Sequence, residues 1–361
     1  MDLELSNEQR LLRDSAERFA SQRYDTAQRR MSLACEGRWS REIWREIADL
    51  GWLAVGVPEA DGGLGGGPVE IGLVAEALGR ALALEPWLDA ILVARLVAAL
   101  GDASQRERLL APIMEGARRP ALAHIEGARF AAEAVSTQAA NSRLTGVKDF
   151  VSAPASADDL FVSARTDAGL AVFVVDPSAP GVTIQTFETV DGREAGRVTF
   201  DGAEAVRLGS GDATAALAET LDLAAAALSA EAVGCMDSLL AKTIAYTRTR
   251  EQFGKPLAAN QALRHRMADM SVRCEEARGV TLRALLAFGS TERARAAAGA
   301  KFKTGRCGRF VAEHAIQLHG AMGVTEELDV GLYAKRLLAI DLSFGAADQH
   351  LRRHAALRPQ N

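Results

Sequence analysis

Apolar residues recur along this chain at the spacing of one helical face. After Ser6-Asn7-Glu8-Gln9-Arg10, the residues Leu11, Leu12, Ala16, Phe19 and Ala20 form one stripe behind a polar cap, which predicts an amphipathic helix. A second stripe, Ile43, Trp44, Ile47 and Leu50, predicts a helix over 40–50 that stops at Gly51. The segment 57–67, VPEADGGLGGG, reads as a turn-rich loop, and helical patterns resume over 69–84 and 88–100. The texture changes near Pro120. Short β-type runs follow at 149–152, 160–164, 170–175, 182–185 and 196–200, separated by turn signals such as Asp167-Ala168-Gly169, Asp176-Pro177 and Asp191-Gly192. From Asp212 the helical period returns in long Ala/Leu-rich segments at 213–249, 258–288 and 291–319. The pattern predicts an α+β chain in three parts: a helical domain over 1–120, a small β-barrel-like domain over 121–208 and a four-helix bundle over 209–361.

Composition narrows the class. Hydrophobic residues are 48% of the 361 while aromatics are only 5%, so the core is built mainly from Ala, Leu and Val, which favours packed helices. Charged residues make up 25%, and no apolar run is expected to reach the roughly 18 residues that cross a bilayer. The net charge of −5, with no Lys/Arg block, argues against nucleic acid as a partner. Cys35, Cys235, Cys274 and Cys307 are scattered, with no metal-ligand spacing, and read as reduced thiols. The start, MDLELSNEQRLLRD, has neither the basic-then-apolar order of a signal peptide nor an Arg-rich transit segment, so a cytoplasmic location is expected.

Three segments are candidates for chemistry beyond packing, although a helix cap, a plain helix-ending loop and an ordinary β strand would give the same patterns. Arg248-Thr249-Arg250-Glu251-Gln252-Phe253-Gly254-Lys255-Pro256 is an ordinary way to end a helix, since arginine suits its negative end and Gly and Pro stop it. The same residues would also fix a phosphate beside an aromatic that meets a ring. Gln317-Leu318-His319-Gly320-Ala321-Met322-Gly323 combines a hydrogen-bonding amide with small residues that let a ligand approach the backbone. His319 within it reads as a core hydrogen-bonding histidine and not as a base. Lys148-Asp149-Phe150-Val151-Ser152 is a strand whose aromatic and hydroxyl would suit a planar ligand. The glycines 62–67 lack the Gly-Lys-Ser/Thr ending of a phosphate loop and read as a turn.

Taken in order, these segments resemble the acyl-CoA dehydrogenase family of flavoproteins over essentially the whole chain. The resemblance rests on NEQRLLRDSAERFA, Gly51-Trp52-Leu53, Val57-Pro58-Glu59, Gly62-Gly63-Leu64-Gly65 and Glu76-Ala77-Leu78-Gly79-Arg80 in the first helical part. Phe150-Val151-Ser152 stands where the family has Trp-Ile-Thr against the flavin, and Val198-Thr199-Phe200-Asp201 resembles the last strand before the bundle. In the bundle, Arg248 to Pro256, Asn260-Gln261 and Ala268-Asp269-Met270 match, as does Gln317 to Gly323, with Ala321 replacing one glycine of Gln-x-His-Gly-Gly-x-Gly. The resemblance implies FAD as cofactor, an acyl-CoA substrate and an electron-transfer flavoprotein as electron acceptor. Carried over position by position, it implies that Phe150 and Ser152 touch the flavin ring. It also implies that Arg250, Phe253, Gln317 and Gly320 serve the pyrophosphate and adenosine end of a neighbouring subunit's FAD.

Departures from the family pattern cluster. The family's usual base, a Glu in Glu-Gly-Thr, falls on Ser343-Phe344-Gly345-Ala346, which has no carboxylate, so the catalytic residue of this chain is unknown. The Thr-Glu-Pro loop ending in Gly-Ser-Asp is replaced by Ala123-His124-Ile125-Glu126-Gly127-Ala128-Arg129. These losses belong to a subunit's own active site, while the retained motifs serve a neighbour. The tail, Glu326-Glu327-Leu328-Asp329-Val330 through Ala334-Lys335-Arg336 and Phe344 to Asp348, resembles small subunits of pimeloyl-CoA and steroid side-chain dehydrogenases. The expectation is a partner subunit that completes the FAD site of a glutamate-bearing paralogue in a hetero-oligomer. Two other readings stand beside it: a self-sufficient dehydrogenase with Asp341 or Asp348 as displaced base, and a flavin-dependent monooxygenase on the same scaffold.

Overall fold

In a computed structural model the chain is described over residues 4–127, 130–131, 133–325 and 328–358. Its first helices are α1 (Asn7–Gln22), α2 (Thr26–Ala34), α3 (Arg41–Asp49), α4 (Pro68–Ala81), α5 (Trp87–Leu100) and α6 (Ala103–Met114). Eight strands follow: β1 (Pro120–Ala123), β2 (Gln138–Ala140), β3 (Arg143–Ser152), β4 (Asp159–Thr166), β5 (Gly169–Val175), β6 (Val182–Glu188), β7 (Glu194–Glu204) and β8 (Val206–Leu208). The helix α7 (Thr214–Thr249), the two-residue strands β9 (Glu251–Gln252) and β10 (Lys255–Pro256), and the helices α8 (Gln261–Leu286), α9 (Arg293–His319), α10 (Val330–Leu342) and α11 (Ala347–Ala356) complete the chain. The order is helical, then β, then helical.

Local chemistry sets the ends. Ser6 and Gln9 form a reciprocal capping box at the start of α1, and Asp102 and Gln105 do the same for α6. The Ser40 hydroxyl accepts the Ile43 N–H to begin α3, and Gly51, at φ +76°, turns the chain away after it. Helices α2 and α6, strands β1, β2 and β8, and helices α10 and α11 were not singled out in the sequence. Their apolar stripes are short, and β1 is buried along its whole length, so it shows no alternation.

Two compact units emerge. One comprises residues 30–71 and 84–224. Its sheet runs β6-β7-β3-β2-β4-β5-β8, with β1 pairing in parallel with β4, and β6 and β8 are its end strands. Leu144, Val151, Leu160, Val162, Phe173, Val198 and Phe200 fill its core. Strand β3 is out of step with β7 between Lys148 and Val151, a bulge that re-aims the residues inside it.

The other unit comprises residues 1–29, 72–83 and 225–361. Here α4 and α7 touch through glycines: a Cβ on Gly79 would lie 2.1 Å from the Glu231 carbonyl oxygen, and one on Gly234 would lie 1.9 Å from that of Glu76. Arg278 on α8 bridges Glu76 (2.8 Å) and Asp237 (2.5 Å), and Arg336 on α10 pairs with Glu231 through two bonds of 2.6 and 2.7 Å. One sequence expectation is corrected. Helix α7 is long and apolar enough to cross a membrane by length and composition, but 83% of its most apolar window is buried inside the protein, which is the environment of a core helix.

Candidate cofactor site

The helical unit presents a polar end. Helix α7 finishes at Thr249, where the Arg250 N–H donates to the Tyr246 carbonyl (2.8 Å). The chain then doubles back as the hairpin β9–β10, closed at its base by the Leu257 N–H bonding to the Arg250 carbonyl (2.8 Å). Phe253 and Gly254 form the two-residue turn, with φ +55° and +76°. A two-residue turn of this twist needs positive φ at both positions, which glycine supplies freely and phenylalanine only at a cost of about 1 kcal/mol. The Phe253 ring is 99% exposed, so nothing in its own chain repays that strain.

Helix α9 ends beside this hairpin. The imidazole of His319, buried, stacks on the Tyr246 ring with centroids 4.3 Å apart, and its Nδ1–H donates to the Ala315 carbonyl (2.8 Å). His319 is thus a core residue, as the sequence indicated. The stack brings Gln317 and Gly320, both exposed, to the same end of the unit as Arg250 and Phe253. Gly320 sits at φ +62° with open space where a Cβ would be. Among the described residues, the Arg250 guanidinium makes no ion pair. A forked cation, an amide, a bare backbone and an unpartnered ring form a donor set suited to a pyrophosphate and a flat base, so these residues fit the FAD that the resemblance implies.

Phe150 and Ser152 lie in the β unit. The bulge in β3 turns Phe150 outward, 39% exposed, with the Phe187 ring 6.2 Å away. Asp149 inside the bulge is tied down: its N–H donates to the Ile125 carbonyl (2.9 Å), and its carboxylate accepts the Gly127 N–H (2.6 Å) and Arg197 (2.6 Å). Ser152 is partly buried at the end of β3. A flat ring fits the exposed Phe150 face, and the serine brings a hydroxyl to the same strand.

The altered loop 123–129 is described as far as Gly127; Ala128 and Arg129 lie outside the described residues, as do Glu326 and Glu327 of the tail. Within it, Glu126 is consumed by structure. It accepts the buried Lys148 ammonium (2.8 Å), the Thr137 hydroxyl (2.7 Å) and the Ser136 and Thr137 N–H groups (2.6 and 3.0 Å). Burial pushes the Glu126 carboxyl up, but Lys148 and Thr137 outweigh it and hold it at about 2. His124, buried against Ser163 (2.9 Å), is kept neutral by burial and by Lys148, at about 4. The sequence reading did not single out this cluster. Its signal was Lys148 itself, a lysine on the inward side of a strand, in step with buried Leu144.

Asp341 and Asp348 stand on either side of the α10–α11 connection. The Asp341 Oδ1 accepts the Ala347 N–H (3.2 Å) at the start of α11, and its carbonyl, with that of Gly345, accepts the buried Lys301 ammonium (2.9 and 3.0 Å). Phe344, in the segment 343–346 where the resemblance puts the family's base, sits at φ +51° with its carbonyl accepting the His350 Nε2–H (2.9 Å). Asp348 is exposed in the first turn of α11, where a carboxylate suits the helix dipole. Of the two, Asp341 has a structural role in the hydrogen bonding that starts α11.

Family models described as "Acyl-CoA dehydrogenase, N-terminal domain" and "Acyl-CoA dehydrogenase, C-terminal domain" match residues 6–117 and 213–356. The chain is 31% identical over 338 residues to acyl-CoA dehydrogenase FadE27 of Mycobacterium tuberculosis, covering 88% of each. It is similar in structure to the ChsE4-ChsE5 complex from Mycobacterium tuberculosis, with TM-score 0.91 and 28% identity over 100% of both chains. A variant of the Tcur3481-Tcur3483 steroid ACAD gives TM-score 0.89 and 32% identity over 97% of both. Each of these two structures is named for a pair of polypeptides.

Proposed function

The chain belongs to the acyl-CoA dehydrogenase family, and from that premise we propose that it is the partner subunit of a hetero-oligomeric, FAD-dependent acyl-CoA dehydrogenase, completing the FAD site of a second polypeptide that carries the catalytic glutamate. The chemistry of that assembly is α,β-desaturation, in which a carboxylate takes the α proton of the thioester and the β hydrogen leaves as hydride to bound flavin. Arg250 clamps the pyrophosphate with its fork, Phe253 packs on a flat ring, Gln317 hydrogen-bonds through its amide, and Gly320 lets the ligand approach the backbone. Phe150 and Ser152 face a flavin ring from the β unit. Electrons pass on to an electron-transfer flavoprotein.

One observation carries the reading: the Phe253 ring, 99% exposed on a strained turn, is built to meet something outside its own chain. The rest is consistent with it. The segment 343–346, where the resemblance puts the family's base, has no carboxylate, and the nearby Asp341 carboxylate is spent on a helix start. The two structural relatives named for pairs of polypeptides add support.

The test is the visible spectrum of the purified chain, alone and after co-expression with a glutamate-bearing paralogue. A colourless chain that yields a yellow, active complex supports the reading. A chain that is yellow by itself and bleaches with an acyl-CoA overturns it.

A further inference from the structure

The cations at the polar end of the helical unit outnumber what a cofactor needs. Arg248 lies in the last turn of α7, Arg250 and Lys255 belong to the hairpin, and Arg264 and Arg266 lie in the first turns of α8. All of them are exposed, and among the described residues none of their side chains makes an ion pair or a hydrogen bond. Two contacts gather them. The Thr247 hydroxyl donates to the Met267 sulfur (3.2 Å), so the last turn of α7 touches the start of α8. The Leu257 N–H bonds the Arg250 carbonyl (2.8 Å), which returns the chain from the hairpin to α8. Arg248 follows Thr247 and Arg266 precedes Met267, so the cations ride on these contacts. Over 248–269 the acidic residues are Glu251 and Asp269 alone, which leaves an excess of positive charge on a chain whose net charge is −5. Apolar groups are interleaved with the cations: Phe253 is 99% exposed and Val272, on α8, 57%. Over 261–272 only Leu263, Met267 and Met270 are turned inward, so the first half of α8 is covered along one stripe.

We propose that this basic surface selects the partner: it docks an acidic face of the glutamate-bearing subunit and rejects a second copy of this chain. This rests on the partner-subunit reading, which already turns Phe253 and Arg250 towards another polypeptide. A pyrophosphate is held by one guanidinium fork. Arg250 supplies it, and Arg248, Lys255, Arg264 and Arg266 are left for a protein surface. An exposed aromatic, an aliphatic side chain and arginines are the groups that protein interfaces collect. In a two-fold contact made here, both copies present the same patch. Like charges then face one another, and that repulsion counts against the self-pair. An acidic face meets the same cations favourably, and salt weakens the attraction by screening it. Discrimination between the two pairings thus comes from residues that need not touch the flavin.

The experiment reads subunit affinity by sedimentation of the complex co-expressed with the glutamate-bearing paralogue, over a dilution series at low and at high salt. The expected result is a dissociation constant that rises with salt in the wild type. Arg264→Glu together with Arg266→Glu should raise it by about tenfold or more at low salt and flatten its salt dependence. Arg18→Glu together with Arg352→Glu makes the same charge change on α1 and α11 and is expected to move neither. FAD content and melting temperature are followed alongside. Should the reversal not fold, Arg264→Gln together with Arg266→Gln removes the charges without inverting them and carries the comparison. If affinity ignores both salt and the reversal, or the control weakens it equally, the proposal is overturned while a yellow, active complex keeps the partner-subunit reading. A reversal that lowers FAD content and leaves affinity unchanged assigns the cations to the cofactor and overturns the proposal too. So does a chain that self-associates when alone and is dissociated by the reversal, since the patch then pairs with its own copy. If no glutamate-bearing paralogue forms a complex, the reading itself falls and takes this proposal with it.

Discussion

The imidazole of His319 lies 4.3 Å from the ring of Tyr246, centroid to centroid and 25° from parallel, and this contact joins the end of α7 to the end of α9. It sets the Arg250–Phe253 hairpin beside Gln317 and Gly320. Tyr246→Ala removes the stack and is expected to cost about 1 kcal/mol of stability beyond the lost area, with lower FAD content in the complex. Tyr246→Phe, which keeps the ring, is expected to retain both. Melting temperature and bound flavin per complex check the pair.

Phe253→Asn should change two properties in opposite directions. Asparagine tolerates positive φ, so the chain alone gains up to about 1 kcal/mol. The complex loses the exposed ring and retains less FAD. A variant that melts lower by itself, or a complex that keeps full flavin, contradicts the assignment.

The Glu126–Lys148 pair is buried and multiply hydrogen-bonded. Lys148→Met leaves a buried carboxylate without its cation and is expected to cost about 3–5 kcal/mol. Because the folded protein holds Glu126 at about 2, below its ordinary value of 4.5, the carboxylate stabilises the fold above pH 4.5, and that stability is lost as pH falls from there through about 2. Glu126→Gln should remove this part of the acid loss, as read from denaturation midpoints at graded pH.

Lys301 also gives a stability that rises with pH, but because the fold disfavours its charge. Burial lowers its ammonium from 10.5 to about 8, with Asp341 opposing, so the folded state disfavours the charge and stability rises as pH climbs from about 8 towards 10.5. Lys301→Met should abolish that rise. At neutral pH it also leaves the Asp341 and Gly345 carbonyls without their donor, for a loss of about 1–3 kcal/mol. Urea midpoints on either side of pH 9 separate the two effects.

Asp341→Ala distinguishes structure from catalysis. Losing the acceptor at the start of α11 is expected to cost about 1 kcal/mol, with turnover of the complex unchanged. A fall in kcat far beyond that instability would make Asp341 the base and remove the partner-subunit reading.

Much of the fold was legible. The stripes at Ile43, Trp44 and Ile47 gave α3 with its cap at Ser40 and its stop at Gly51, and the long Ala/Leu segments gave α7, α8 and α9 to within a few residues. What stayed hidden was short or buried on every side, such as β1, whose four residues show no alternation. The expectation that no apolar run is long enough to cross a bilayer failed for a related reason. Composition measures how apolar α7 is, whereas only packing shows whether protein or lipid covers it. Of the candidate site, Arg250, Phe253, Gln317 and Gly320 were marked by residue type and by order along the chain. The pairing of Glu126 with Lys148 was not, since the two lie 22 residues apart in the chain.

By itself, the sequence determined the kinds and order of the elements, the places where helices start and stop, and the family. These depend on steric and hydrogen-bonding rules that act within a few residues, so a linear string carries them. Only the tertiary structure decided which chemical groups are already committed: that Asp341 caps α11, that Glu126 belongs to Lys148, that Asp89 accepts the Leu122 N–H, and that the Phe253 ring is left bare. Commitment depends on distances between residues remote in sequence and on the water that packing removes, and both exist only once the chain has folded.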